Sequence, residues 1–298
     1  TPPRRHRGSL QAAPGVFDTG AVRVEVQADG SLRVIRAADG RVFESQLVFE
    51  DGGDVGDGWN FRRPSGDRVW LSRGARADFT VLADGPLAAV FRLEQTAGPA
   101  GDDSTSGPLR ITTEVTLCKG SARLQVRTVA DNRRNNHRLR VLIDTGMSGA
   151  DGFYAKTPYD MQRWEIAGLN DDEYSEEDTG VHPSQGVTYL SDQSGAFALY
   201  TRGLYEVGVA GNPARTLALT LLRTTANEAG YRFEGNRPMQ GERTLEYCLD
   251  YAPPPSPART LLLGDAWRDG LKALSCLVPV REVPAAQATT LPSSSPRL

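Results

Sequence analysis

Residues able to cross-link the chain or hold a transition metal are scarce in this sequence. Across 298 residues there are three cysteines and three histidines. Cys118, Cys248 and Cys276 are widely spaced and odd in number, with no CxxC pair and no Cys/His ladder. That spacing excludes a disulfide framework and a structural zinc site, and reads as buried free thiols in a reducing cytoplasm. His6, His137 and His182 each lack a second His or Cys at ligand spacing. His6 sits in a basic terminal stretch, His137 follows the polar turn Asn135-Asn136, and His182 precedes Pro183. All three read as hydrogen-bonded structural residues rather than ligands or general bases.

Other absences narrow the class further. No run of eighteen apolar residues occurs, so no segment reads as a transmembrane helix. The start, Thr1-Pro2-Pro3-Arg4-Arg5-His6-Arg7, has basic residues but no apolar h-region, so it is not a secretory signal. Its lack of an initiator methionine implies a piece of a longer polypeptide. There is no GxSxG elbow, HExxH, P-loop, or GxGxxG opening a helix. The Arg4, Arg5 and Arg7 patch has no interleaved aromatics and reads as a solvated terminus. The formal net charge is −3 and the pI about 5.7, which gives no general drive toward nucleic acid or anionic membranes.

What the sequence does have is period-two hydrophobicity. Ala21–Val26 and Ser31–Arg36 flank the turn Ala28-Asp29-Gly30 as a hairpin, followed by Val42-Phe43 and Gln46–Phe49. Further alternating runs are Asp78–Leu82, Ala88–Leu93, Ile111–Leu117, Arg123–Val129, Leu139–Ile143, Val187–Leu190, Phe197–Tyr200 and Thr216–Leu222. A last long strand, Thr244–Tyr251, ends at Pro253-Pro254-Pro255. Many strands separated by Gly/Asp turns predict an all-β fold, a large antiparallel sandwich. One helix is predicted, over Asp265–Leu274 and weakened by Gly270. Gly98–Pro108 and the acidic stretch Asn170–Asp178 read as loops, and the Ala/Thr/Ser/Pro-rich tail from Pro284 as disordered.

Candidate chemistry is thin. Glycoside hydrolysis needs two carboxyl groups facing each other across the bond, and sequence cannot pair the many acids here in space. The run Asp51-Gly52-Gly53-Asp54-Val55-Gly56-Asp57-Gly58 is the most suggestive. It lacks the spacing and the closing glutamate of a calcium loop, so it reads as a solvated loop at a functional edge rather than a metal site.

Several segments, taken together and in order from about residue 15 to 282, resemble the C-terminal region of family 38 α-mannosidases, above all the bacterial branch. They are Phe49–Phe61, the Asp/Gly-rich loop ending in aromatics; Asn132–Val141, a polar turn entering a strand; His182–Gly186; Leu190–Asp192; Leu199–Val207; Leu217–Arg223; and Gly241–Tyr247. The resemblance implies a galactose mutarotase-like supersandwich lying after a barrel-like catalytic domain and a helical domain in the same polypeptide, with an α-mannoside as substrate. It also implies zinc and an aspartate nucleophile in the N-terminal half of that polypeptide. Nothing here matches those residues, so no catalytic or zinc-binding residue and no cofactor is assigned to this chain.

Two positions correspond to family residues near the sugar. Trp59 stands where the family has a tyrosine, and would offer a stacking face without the phenol. Arg223, after the late strand, would offer a fork of donors. The expected division is a flexible segment over 1–14, the supersandwich over 15–252, a C-terminal extension packed on it over 253–283, and a tail over 284–298. An apolar patch is expected where the other domains dock. Two rival readings follow from the fold. A sugar epimerase or mutarotase would need His137 and His182 to converge on one cleft with a carboxylate. A carbohydrate-binding module would need exposed aromatics such as Trp59, Trp70 and Trp164.

Overall fold

The computed structural model describes residues 8–58, 61–98, 108–166, 180–225, 227–228, 231–232 and 239–269. Five short strands come first: β1 (Gln11–Ala13), β2 (Val16–Asp18), β3 (Val22–Val26), β4 (Leu32–Arg36) and β5 (Val42–Gln46). They pair in chain order as an antiparallel meander. The sheet therefore begins ahead of residue 15, and Leu10 is already in the core. Three residues with a register shift carry too little alternation to be read from sequence as a strand.

The run Gln46–Phe49, read above as one strand, is interrupted. Ser45 and Leu47 have φ of 53° and 62°, values that bend the backbone. The chain leaves the meander there and enters a second sheet at β6 (Val48–Gly53). Next come β7 (Trp70–Leu71), β8 (Asp78–Asp84), β9 (Ala88–Ala97), β10 (Leu109–Cys118), β11 (Arg123–Asn132) and β12 (His137–Asp144). After these lie β13 (Gly152–Lys156), β14 (Met161–Glu165), β15 (Val181–Pro183), β16 (Val187–Asp192), β17 (Gly195–Arg202), β18 (Glu206–Val209) and β19 (Thr216–Thr224). The two-residue pair β20 (Asn227–Glu228) and β21 (Tyr231–Arg232) precedes the long β22 (Gly241–Asp250).

These strands build a nine-stranded sheet, β14-β13-β16-β17-β22-β11-β10-β9-β8, and a six-stranded one, β15-β18-β19-β12-β6-β7. Every pairing among the described residues is antiparallel. The architecture is the all-β antiparallel supersandwich expected.

Alternation decides which side chains fill it. From the nine-stranded sheet Phe91, Ile111, Val115, Leu124, Val126, Tyr247 and Leu249 point inward. They meet Phe17, Val24, Val34 and Phe43 of the meander and Phe49, Leu139, Val141, Leu217 and Leu219 of the six-stranded sheet in one apolar cluster. Phe17 stacks on Phe91 with centroids 5.0 Å apart, and Tyr251 meets Phe43 edge-on at 4.8 Å. The hydroxyl of Tyr251 donates to Gln46 at 2.8 Å, and the Gln46 amide donates to the Asp144 carbonyl at 2.8 Å, so both buried side chains find partners inside the core.

The outer face of β16, β17 and β22 is also apolar, and the helix covers it. Helix α1 spans Pro257–Asp269, so it starts eight residues before the predicted helix; positions beyond Asp269 lie outside the described residues. Ser256 caps it, with the Arg259 amide donating to its hydroxyl at 3.5 Å, and Pro257 occupies the first turn, where no amide donor is required. Leu261, Leu263 and Trp267 pack on Val187, Tyr189, Tyr200 and Cys248. Gly264 allows that approach: a methyl group there would lie 2.2 Å from Val187 Cγ2 and 2.9 Å from the Tyr200 ring. Cys248 is a buried free thiol and Cys118 a half-buried one, while Cys276 lies outside the described residues. No described helix is long and apolar enough to cross a membrane.

Two outcomes are expected. Gly264→Ala gains helix propensity but overpacks the contact, so stability should fall by about 1–3 kcal/mol. Amide exchange within α1 should speed up more than in β10 and β11; unchanged protection of the helix would contradict the packing described. The second concerns alkali. Burial pushes the phenols of Tyr200, Tyr247 and Tyr251 and the thiol of Cys248 above their ordinary values. Folded values raised above unfolded ones mean a contribution that is whole below about pH 8.5–10 and is lost as pH rises beyond that window. Phenolate absorbance from these three tyrosines should appear together with loss of the strand circular dichroism. Full ionisation of all nine tyrosines in a still-folded chain would refute this.

Candidate functional site

Strand β12 runs between β6 and β19 and carries chemically different rows on its two sides. His137, Leu139, Val141 and Ile143 face the core, while Arg138, Arg140, Leu142 and Asp144 face outward.

The inward row opens with a buried polar cluster. Asp51 of β6 is fully buried, and its carboxylate accepts from Arg134 Nη1 at 2.5 Å and lies 2.5 Å from His137 Nδ1. His137 Nε2 lies 3.0 Å from Asn132 Oδ1, at the end of β11. Asn132 donates from its amide to the carbonyls of Arg134 and Met239 at 3.2 and 3.1 Å. Arg134 also donates to the Ala97 carbonyl at 2.8 Å, at the end of β9. One carboxylate thus ties the six-stranded sheet to two strands of the nine-stranded sheet. The solvated-loop reading of Asp51–Gly58 is wrong at its start. Asp51, Gly52 and Gly53 lie in a strand, and both Asp51 and Asp54 are fully buried. Among the described residues no group of three or more His, Cys, Asp or Glu could hold a metal ion.

The glycines have a packing reason. The segment after Asp54 folds back over the outside of β6, where a methyl group on Gly53 would lie 2.6 Å from Pro64 Cγ. The Gly53 amide donates to Asp67 at 3.0 Å. Asp54 knots this loop: its carboxylate accepts the amides of Gly56 at 2.9 Å and Arg62 at 3.2 Å and pairs with Arg223.

The outward row is a field of arginines and carboxylates. Arg140 donates to Glu50 at 2.9 and 2.5 Å, and Arg63 lies 3.6 Å from Asp67. Arg138 stands opposite Gly52 on one side and opposite Arg223 on the other, so Arg138 and Arg223 share one face of adjacent strands. The Phe61 ring covers the Arg138 guanidinium, 3.3 Å from the ring centroid. Sequence reasoning singled out Arg223 and passed over Arg138. The Arg-Leu-Arg alternation of Arg138–Arg140 within an otherwise apolar strand was the available signal.

Arg223 is thus an ion-paired residue at this face, 15% exposed through its side chain. Trp59 lies outside the described residues. The two histidines proposed for an epimerase do not converge. His137 is buried in the Asp51 cluster, whereas His182 on β15 stacks on Trp164, with ring centroids 4.2 Å apart, three strands away in the sheet order. Trp70 and Trp164 pack partly buried against the core rather than standing free as sugar platforms. The exposed large hydrophobics among the described residues include Val42, Leu82, Leu87, Tyr159 and Tyr205.

With this geometry in view, comparison with known proteins is decisive. Residues 17–230 match the glycosyl hydrolases family 38 C-terminal domain. The chain belongs to that family. An α-mannosidase from Enterococcus faecalis V583 superimposes with a TM-score of 0.73 at 26% identity, covering 81% of this chain and 30% of that one. A family 38 glycosyl hydrolase from Enterococcus faecalis gives a TM-score of 0.70 at 25% identity, with the same coverage of 81% and 30%. A putative mannosylglycerate hydrolase of Halalkalibacterium halodurans is 22% identical over 68% of this chain and 24% of its own length. The chain therefore spans 24–30% of the length of these relatives.

Breaking the Asp51 cluster should be costly, because Asp51→Asn keeps the shape but leaves the Arg134 cation buried without its counter-charge. A loss on the order of 3–5 kcal/mol is expected. It would show as a lower denaturant midpoint at unchanged slope; a loss below 1 kcal/mol would contradict the bridging role.

Proposed function

We propose that this chain is the non-catalytic C-terminal part of a retaining, zinc-dependent family 38 α-mannosidase. It supports the catalytic domain and completes one wall of its sugar pocket. The observation that carries the reading is the family match over residues 17–230, combined with a superposition on 30% of an α-mannosidase. The zinc and the nucleophile belong, in this reading, to the catalytic portion of the same polypeptide, with the helical domain between. Arg223 and Trp59 are the residues of this chain that reach toward the sugar, and the outer face of β12 and β19 forms the wall. The domain limits of 15–252 for the supersandwich and 253–283 for the extension belong to the same proposal, as does a cytoplasmic setting. The relative from Halalkalibacterium halodurans is named for mannosylglycerate, a mannoside of an organic acid. That supports including acid-bearing mannosides among the substrates considered.

The purified chain alone should not turn over an aryl α-mannoside; measurable hydrolysis would reject the proposal. In the intact polypeptide, Arg223→Lys keeps the charge but loses the fork. It should lower kcat/KM for the aryl α-mannoside about tenfold or more, which corresponds to one charge-assisted hydrogen bond. An unchanged kcat/KM would remove Arg223 from the pocket.

A further inference from the structure

Among the described residues four tyrosines are fully buried: Tyr189, Tyr200, Tyr247 and Tyr251. Three of their hydroxyls are paired inside the protein, Tyr200 with Asp250 at 3.1 Å, Tyr247 with Thr128 at 3.0 Å and Tyr251 with Gln46 at 2.8 Å. The Tyr189 hydroxyl has no hydrogen-bond partner among the described residues, although the residue is 2% exposed. Nor is it sealed in, since the one fully enclosed, unpartnered side-chain nitrogen or oxygen among the described residues is Trp164 Nε1. Tyr189 lines a cleft of about 570 Å³, and its hydroxyl opens into it. Small-molecule sites have volumes of about 300–1,000 Å³.

The walls come from three segments that the fold fixes. Asp39 lies in the turn between β4 and β5, Asp192 and Gln193 in the turn between β16 and β17, and Pro253 and Pro255 in the stretch from β22 to α1. Proline rings hold that last stretch rigid. Arg36 joins the walls: Nε and Nη2 donate to Asp39 at 2.9 and 2.5 Å, and Nη1 donates to the Tyr251 carbonyl at 2.8 Å. A methyl group on Gly195, which has a φ of 139°, would lie 3.3 Å from Arg36 Nη2, so the glycine lets its turn close on the guanidinium. Asp192 accepts the amides of Ser194 and Gly149 at 2.8 and 3.1 Å, with the Arg41 charge nearby.

These pairings decide the class of ligand. The one cation of the lining, Arg36, is engaged through all three nitrogens, so nothing there calls for an anion. Each carboxylate has a cation beside it, Asp39 with Arg36 and Asp192 with Arg41, so a charged amine is not called for either. No aromatic ring other than the buried Tyr189 lines the cleft, which leaves a nucleobase without a stacking face. What the cleft offers is a hydroxyl that can donate and accept, the spare lone pairs of two carboxylates, the Gln193 amide, and the C–H faces of two prolines. A pyranoside presents the complement: neutral hydroxyls around a ring with C–H faces. We propose that this cleft binds a neutral glycosyl unit, with the Tyr189 hydroxyl as its buried anchor. None of its lining residues belongs to β12 or β19, so the site is separate from the wall proposed for the sugar pocket and does not depend on that reading.

The test uses the full 298-residue chain and NMR of the Gln193 side-chain amide and the Gly195 backbone amide. Methyl α-mannoside is the probe, glycerol the open-chain control and inorganic phosphate the anion control. The mannoside should shift both signals saturably, and neither control should at the same concentration. Tyr189→Phe keeps the ring and its packing and removes the hydroxyl alone. It should weaken the mannoside about fivefold, the weight of one neutral hydrogen bond, and leave the denaturant midpoint of the free chain unchanged, because no protein partner is lost. Ser191→Tyr, at an exposed position of the lining, should block the cleft and abolish the shifts in a chain of unchanged midpoint. Equal binding of methyl α-glucoside would support the site and widen the sugars it takes. No saturable response to the mannoside, an equal response to glycerol, or tighter binding of phosphate would overturn the proposal. So would a lowered midpoint in Tyr189→Phe, which would show the hydroxyl already bonded within the protein. Mannoside affinity unchanged in both variants would put the sugar elsewhere on the chain, so that this proposal falls while the mannosidase reading stands.

Discussion

The buried carboxylate of Asp51 is the point on which the two main sheets are registered. A charge with no exposure is tolerated only where cations and donors surround it, and Asp51 meets Arg134 on one oxygen and His137 on the other. Those partners reach onward to Asn132 and the Ala97 carbonyl, which belong to the opposite sheet. Apolar packing would bring the layers together in many offsets, since hydrophobic contact is not directional. A polar cluster that is satisfied in one arrangement selects that offset, and so fixes how β6 and β12 lie over β9 and β11.

That registration controls the outer face as well. Because strand residues alternate sides, holding His137 inward obliges Arg138 to point outward, and the same rule carries Arg140 to the outer face. The loop after β6 is then drawn across this surface by Asp54 and Asp67 and made to lie close by the absence of side chains at Gly52 and Gly53. It brings Phe61 over Arg138 and joins Arg223 to Asp54. The wall proposed for the sugar pocket is thus the reverse side of the cluster that staples the core, and a change in one should be felt in the other.

Helix α1 adds a different constraint. The outer face of β16, β17 and β22 carries Tyr189, Tyr200 and Cys248, groups that a solvated sheet would not expose together. The helix covers them by dispensing with a side chain at Gly264, which places its axis close to the strands. A position poor in helix propensity is retained because close packing outweighs it.

The long strands were legible in the amino-acid order. Ala88–Leu93, Ile111–Leu117, Arg123–Val129 and Thr244–Tyr251 alternate over enough residues that only an antiparallel sandwich satisfies them. The ordered resemblance of scattered segments carried the family. The shortest pieces were not legible: β1, β2, β7 and β15 have only two or three residues, too few for a period to register, and the helix begins under a Ser-Pro signal that follows a proline run. Nor could the order of residues show that Asp51 is buried rather than solvated, because an aspartate among glycines reads as a turn until a distant arginine and histidine are brought to it. Alternation is a local property, set by the geometry of one strand, and the sequence by itself determined it. Which carboxylate meets which cation, and that Arg138 comes to lie beside Arg223 under Phe61, depends on residues far apart in the chain. Only the tertiary structure decided those pairings, because side chains so separated meet only when the sheets assemble.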